Sequence, residues 1–251
     1  MKHKLLKYVF SISLIITFYT GLSFAQPAIE WAQRYSDYPT LNKRVVDTKL
    51  DKAGNIYIAG YIENNDTSRI FLTLKYNSSG AFQWARTYNC LGGWDLPVGL
   101  CVDTLGNVYV TGRSDTVKSS DSLRIKFATI KYSSNGDLMW IKKFIDSDSI
   151  IAIPNSICID DSMNIYITGH CYNFNPNGKA VIVKYDRNGK YIWAKTLSTS
   201  DRFEDFNNIF YKNNFIYLTG GASGSDTNTI KCNLNGDLIW EANFMTVGKK
   251  Y

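Results

Sequence analysis

Few side chains in this 251-residue sequence stand in patterns that could do chemistry. The histidines are His3 and His170, and His3 lies in the basic start of an N-terminal leader, so His170 alone is left to act as a base. Nucleophilic catalysis needs a nucleophile, a base and an orienting acid in mutual reach. No such set assembles around His170, which directly follows Gly169 in a strand pattern and reads as packed or solvated. Asp146-Ser147-Asp148 offers spaced carboxylates of the kind that suit calcium, but no Gly or Glu completes a loop, so a solvated loop is expected. A carboxylate pair for glycoside hydrolysis stays open, because sequence does not give the separation of two acids. Cys90, Cys101, Cys158, Cys171 and Cys232 contain no C-x-x-C, which removes zinc and thiol-redox motifs. Their odd number cannot all pair internally, and Cys101 and Cys158 hold matching places that suit small buried side chains. No cofactor is expected.

What these residues must be mounted on is set by a repeat, the feature to seek first in any sequence. GNIYIAG (54–60) returns as GNVYVTG (106–112), MNIYITG (163–169) and NFIYLTG (214–220). Trp31, Trp84, Trp140, Trp193 and Trp240 follow at spacings of 53, 56, 53 and 47. The last four tryptophans each follow a turn, NSSG, SSNG, DRNG or NLNG, and each turn follows a strand ending in Lys75, Lys131, Lys184 or Lys231. Asp51, Asp103 and Asp160 precede the first three heptads by three residues, and the fourth has Tyr211 there. Each unit reads as four short strands, in the second unit 98–103, 107–112, 127–132 and 138–144, with β-branched runs punctuated by Gly, Asn, Asp and Ser. One meander cannot bury both of its faces, and stacked four-stranded repeats imply an all-β propeller. Tyr57, Tyr109, Tyr166 and Tyr217 then fill the wedges between blades, with the tryptophans. The units span about 41–88, 97–144, 153–197 and 206–244 within a 26–251 repeat domain. EWAQRY (30–35) is a lone leading fourth strand, so the ring is expected to be incomplete, part of a larger propeller, or completed by another chain.

The N-terminus has the three parts of a secretory signal: MKHKLLKY, an apolar run, and Ser23-Phe24-Ala25 as a cleavage pattern. Removal of residues 1–25 takes Lys2, Lys4 and Lys7 with it and lowers the formal charge from +6 to +3. That mild, dispersed excess carries no nucleic-acid signal, and no later segment could span a membrane as a helix. The mature chain is therefore expected outside the cytoplasm, secreted or periplasmic.

The pattern D-x-x-G-N-x-Y-x-x-G, a strand ending K-Y, then N/D-x-x-G-x-x-x-W resembles the SBBP β-propeller repeat of exported bacterial proteins over about residues 30–245. Asp51–Gly60 and Asp103–Gly112 match closely. Met163, Tyr211, Asn214, Phe215 and Cys232 depart from it. The resemblance implies export and a binding or scaffolding role, and supplies no catalytic residues. The turn before each tryptophan also resembles a sialidase Asp box, but Gly and Trp are four apart instead of three, which reverses the face in a strand. The G-x-x-x-W ending resembles quinone-cofactor dehydrogenase repeats in that fragment alone.

Connections between second and third strands and between units vary, and variable loops on a fixed scaffold are where binding resides. They include 89–97, 113–124, 145–154 and 200–205. Trp94 stands outside the repeat register; with Asp95, and with Arg202 and Glu204 two units on, it forms the expected partner-contact surface, against the alternative that Trp94 caps its own rim. The expected role is an exported binding or scaffold module for a protein or glycan, without catalysis. A carbohydrate-active hydrolase or lyase is the alternative.

Overall fold

The computed structural model describes residues 31–64, 68–90, 93–116, 124–172, 178–197, 204–222 and 227–244. Residues 1–25, where a signal is expected, Arg202 and the side chain of Glu204 lie outside the described residues. Tyr35–Tyr251 forms one compact unit. Its regular elements are sixteen strands, and no helix occurs among the described residues. They form four consecutive antiparallel meanders. The first holds β1 (Asn42–Leu50), β2 (Ile56–Asn64), β3 (Ser68–Tyr76) and β4 (Phe82–Tyr88). The second holds β5 (Leu96–Val102), β6 (Val108–Thr116), β7 (Arg124–Tyr132) and β8 (Leu138–Phe144). The third holds β9 (Ile151–Ile159), β10 (Ile165–Tyr172), β11 (Lys179–Tyr185) and β12 (Tyr191–Thr196). The fourth holds β13 (Glu204–Lys212), β14 (Phe215–Ala222), β15 (Thr227–Asn233) and β16 (Leu238–Phe244). A parallel bridge, Ile125 to Ile151, joins the second and third into one sheet.

Two expectations are corrected here. Residues 31–35 of the expected leading strand, 30–35, carry no strand; Tyr35 instead stacks on Phe82, with ring centroids 6.0 Å apart. The connection placed at 113–124 is partly strand, since β6 runs to Thr116 and β7 begins at Arg124. Ser114 and Asp115 are both buried, Arg113 ion-pairs with Asp115 at 2.8 Å, and the ladder to β7 runs on through both to Thr116.

Local chemistry explains the repeated letters. Asp103 Oδ1 accepts from the amides of Leu105 and Asn107, both at 2.9 Å, and Oδ2 from Asn107 Nδ2 at 2.8 Å and Tyr109 Oη at 3.0 Å. Asp51 and Asp160 do the same with Asn55 and Tyr57, and with Asn164 and Tyr166. The position opening each heptad has positive φ: Gly54 (79°), Gly106 (78°), Met163 (63°) and Asn214 (63°). Glycine is cheap there, and the Met163 and Asn214 departures keep the conformation nonetheless.

The glycine that closes each heptad has a different cause. Each inner strand carries a bulge opposite it, with Val46, Val98, Asn155 or Asn207 as the extra residue. The bulge drives the carbonyls of Arg44, Leu96, Ile153 and Asp205 so close to Gly60, Gly112, Gly169 and Gly220 that a Cβ would overlap them.

Apolar burial is concentrated between meanders. One cluster joins Tyr57, Phe71 and Trp84 to Leu100, Val110 and Tyr132. A second joins Tyr109 and Phe127 to Ile157, Ile165 and Val183, and a third joins Tyr166 and Ile182 to Phe206, Leu218 and Ile230. Each fully buried ring is worth about 1.5–3 kcal/mol. The junctions are closed by charge as well. Lys75, Lys131 and Lys184 each lie over the tyrosine of their own repeat, at 5.1, 4.8 and 4.9 Å. Each donates across to a turn carbonyl of the next, Ser134 (2.9 Å), Arg187 (2.9 Å) and Leu234 (3.0 Å). Trp84 and Trp140 donate from Nε1 to the same Ser134 and Arg187 carbonyls.

Candidate functional site

The linker from β4 to β5 places Trp94. Its backbone bridges to Arg69 on β3, where Asp95 N donates to the Arg69 carbonyl at 2.9 Å. Gly93 is pressed so closely on the Asp115 carbonyl that a Cβ would lie 2.5 Å from it. Trp94 is 38% exposed, and the Arg69 guanidinium lies 4.3 Å from its ring and 5.2 Å from that of Tyr61. Arg69 Nε and Nη2 both donate to Glu63 Oε1, at 2.8 and 2.6 Å. The result is an aromatic plate flanked by a fixed cation and carboxylate at the loop end of the first two repeats. Such a group can stack on a sugar or aromatic face while the polar atoms hold its hydroxyls or amides.

Asp95 does not share that surface. It is 0% exposed, with Oδ2 accepting from Cys90 N at 2.6 Å and Oδ1 without a hydrogen bond. Burial raises its pKa, although the Cys90 amide opposes the shift. Its side chain ties down the linker, and the surface role expected of it falls away. Lys143 Nζ donates to Cys90 Sγ at 2.7 Å beside it. Arg202 and the Glu204 side chain, the other residues expected on this surface, lie outside the described residues; Glu204 opens β13 at its backbone.

A second concave surface was not legible in the sequence. The inner strands β1, β5, β9 and β13 line a cavity of about 470 Å³ that includes Asp47, Lys49, Asn155, Asn208, Phe210 and Tyr211. Asp47 Oδ2 accepts from Leu100 N at 3.0 Å, joining two repeats. Beside the cavity, Asp205 Oδ1 accepts from Asn155 Nδ2 and pairs with His170 Nδ1 at 3.2 Å. Burial pushes Asp205 up, but the His170 and Asn155 hydrogen bonds outweigh it and hold the carboxyl below its ordinary pKa. The His170 ring stacks on Tyr172 at 5.6 Å. Among the described residues no three His, Cys, Asp or Glu side chains gather as a metal site. The cysteines are all free thiols, and burial pushes Cys232 up to about 11.

No family model and no curated protein matches this chain. Among solved structures it is similar to a neuraminidase-like protein of A/little yellow-shouldered bat/Guatemala, at 10% identity and a TM-score of 0.53, covering 79% of this chain and 58% of that one. It is also similar to the cobalt-substituted apocarotenoid oxygenase of Synechocystis, at 11% identity and a TM-score of 0.50, covering 80% of this chain and 50% of that one. The chain thus spans about half the length of the oxygenase it matches. At such identities the likeness is one of fold alone: an all-β, propeller-like arrangement of antiparallel sheets.

Proposed function

We propose that this chain is an exported β-propeller, an open arc of four four-stranded blades, that serves as a binding or scaffold module for a protein or glycan and catalyses nothing itself. The SBBP-like repeat and the signal-like leader support export. The observation that carries the binding role is Trp94. The recurring tyrosines and tryptophans of the first three repeats pack into the junctions between blades, whereas Trp94 stands outside the repeat register and stays partly exposed over Arg69. Aromatic and Arg residues in that setting carry most of the energy in known interfaces.

The test is binding of the mature chain to an immobilised panel of polysaccharides and extracellular proteins. Trp94→Ala is expected to weaken binding by about 30-fold or more, the loss of one central contact of about 2 kcal/mol, while Tm falls by only a few degrees. Turnover of a glycan by the purified chain, or undiminished binding by Trp94→Ala, would overturn the reading.

A further inference from the structure

The fourth repeat carries the same junction apparatus as the other three, with nothing docked on it among the described residues. Lys231 Nζ lies 3.7 Å from the Phe215 ring and 5.5 Å from that of Tyr217, and donates to no carbonyl there. Trp240 is 41% exposed, where Trp84 is 6% exposed. Tyr217 is half-buried, where Tyr57, Tyr109 and Tyr166 are fully buried. Leu238, Ile239 and Phe244 of β16 are exposed around it.

The molecule itself shows what covers such a face. At all three internal junctions the lysine of one repeat donates to the carbonyl of the second residue of the next repeat's turn, and at the first two the tryptophan donates to the same carbonyl. The turn of the first repeat, Asn77-Ser78-Ser79-Gly80, has the same build. Asn77 Oδ1 accepts from Ser79 N and Ala81 N, as Asn233 Oδ1 does from Asn235 N and Asp237 N, and Gly80 has φ 81° against 77° for Gly236. Ser78 and Ser79 are exposed, Asn77 is half-buried and Gly80 is buried, as Gly136, Gly189 and Gly236 are; no lysine among the described residues donates to the Ser78 carbonyl. The flanking side chains match too. Internally, Arg86 donates to the Gly136 carbonyl and Lys195 to Asp237. At the outer ends of the first and fourth repeats the corresponding residues are Ala81 and Ala242, so neither side calls for an ion pair.

We propose that the fourth repeat of one copy takes up the Asn77–Gly80 turn of a second copy of this chain, with Lys231 and Trp240 Nε1 donating to the Ser78 carbonyl. Such a head-to-tail contact closes when the rotation allows. Two arcs of four repeats make eight, the upper end of the usual range for a propeller of about four to eight blades. The contact is independent of whatever the Trp94 surface binds.

Sedimentation equilibrium of the mature chain from nanomolar to high-micromolar concentration is expected to show reversible association to twice the monomer mass. Lys231→Glu with Trp240→Ser, checked for its β spectrum, should weaken that association by at least tenfold. In a second arm, Ala242→Cys and Ala81→Cys chains, each also carrying Cys90→Ser, are treated with a short bis-maleimide. A covalent heterodimer on mixing, with neither variant crosslinking to itself, is the expected result. A monomer at every concentration, association untouched by the Lys231/Trp240 changes, or self-crosslinking of the Ala242→Cys chain would each overturn the proposal.

Discussion

Tyr109→Phe and Tyr217→Phe remove the same atom from equivalent places and should differ sharply. Tyr109 Oη donates to Asp103 Oδ2 at 3.0 Å in a site where the ring is fully buried. A hydrogen bond to a charged group is worth about 1.5–3 kcal/mol. Asp103 Oδ2 keeps Asn107 Nδ2 at 2.8 Å, which sets the loss at the low end, about 1.5 kcal/mol. For a domain of this size that is a fall in Tm of about 3–6 °C. The fourth repeat has Tyr211 where the others have the aspartate, and Tyr211 Oη donates to Asp161 and Asn214 instead. Tyr217 therefore has no carboxylate to lose, and Tyr217→Phe should stay within about 0.5 kcal/mol of the parent. Calorimetry or urea unfolding of both variants measures this. Equal effects, or a Tyr109→Phe change under about 0.5 kcal/mol, would show that these hydroxyls do not hold the turns.

Gly112→Ala forces a Cβ onto the Leu96 carbonyl and the Phe71 ring; an overpacking cost of about 3 kcal/mol should lower Tm by about 6–12 °C, and an unchanged melting curve would count against the bulge explanation. Asp95 has a raised pKa, so its burial costs stability above its folded pKa and the cost fades as pH falls through that value. Asp95→Asn should accordingly raise stability at neutral pH and flatten the profile upward of about pH 3.9, as denaturant titrations at several pH values would reveal. Asp205 has the opposite sign: its contribution is complete above the ordinary carboxylate pKa of about 3.9 and is lost as pH falls through its lowered value. His170→Ala removes a hydrogen-bond donor and should move the acid-unfolding midpoint to higher pH, measured by circular dichroism.

Strand identity was readable because its signals are local: β-branched runs, and turns whose Asn, Asp or Ser caps the following amides while glycine takes positive φ. The second repeat's fourth strand, Leu138–Phe144, coincides with the sequence reading. Glycines 60, 112, 169 and 220 were visible as a pattern without a cause, since the cause is a bulge on a strand paired to them, and pairing geometry is not written in one segment. The end of β6 was missed because Arg113-Ser114-Asp115 reads as polar loop until the ion pair and the buried Ser114 are seen together. Trp94 stands out in the sequence because it breaks the register. Asp95 beside it was misplaced, because alternation sends neighbouring side chains to opposite sides and composition does not say which is in. The inner-strand cavity gave no signal, its lining being gathered from four distant segments.

At each junction the lysine is received by a main-chain oxygen, and the residues supplying it are as different as Ser134, Arg187 and Leu234. A contact that reads only backbone is blind to the identity of its neighbour. Substitutions at those turn positions leave the lysine contact intact, so that contact does not encode the order of repeats, although at the third junction the Lys195–Asp237 pair does read a side chain. What the lysine requires of its neighbour is only a turn whose second residue presents its carbonyl, and a transplanted turn with its backbone geometry intact would meet that requirement.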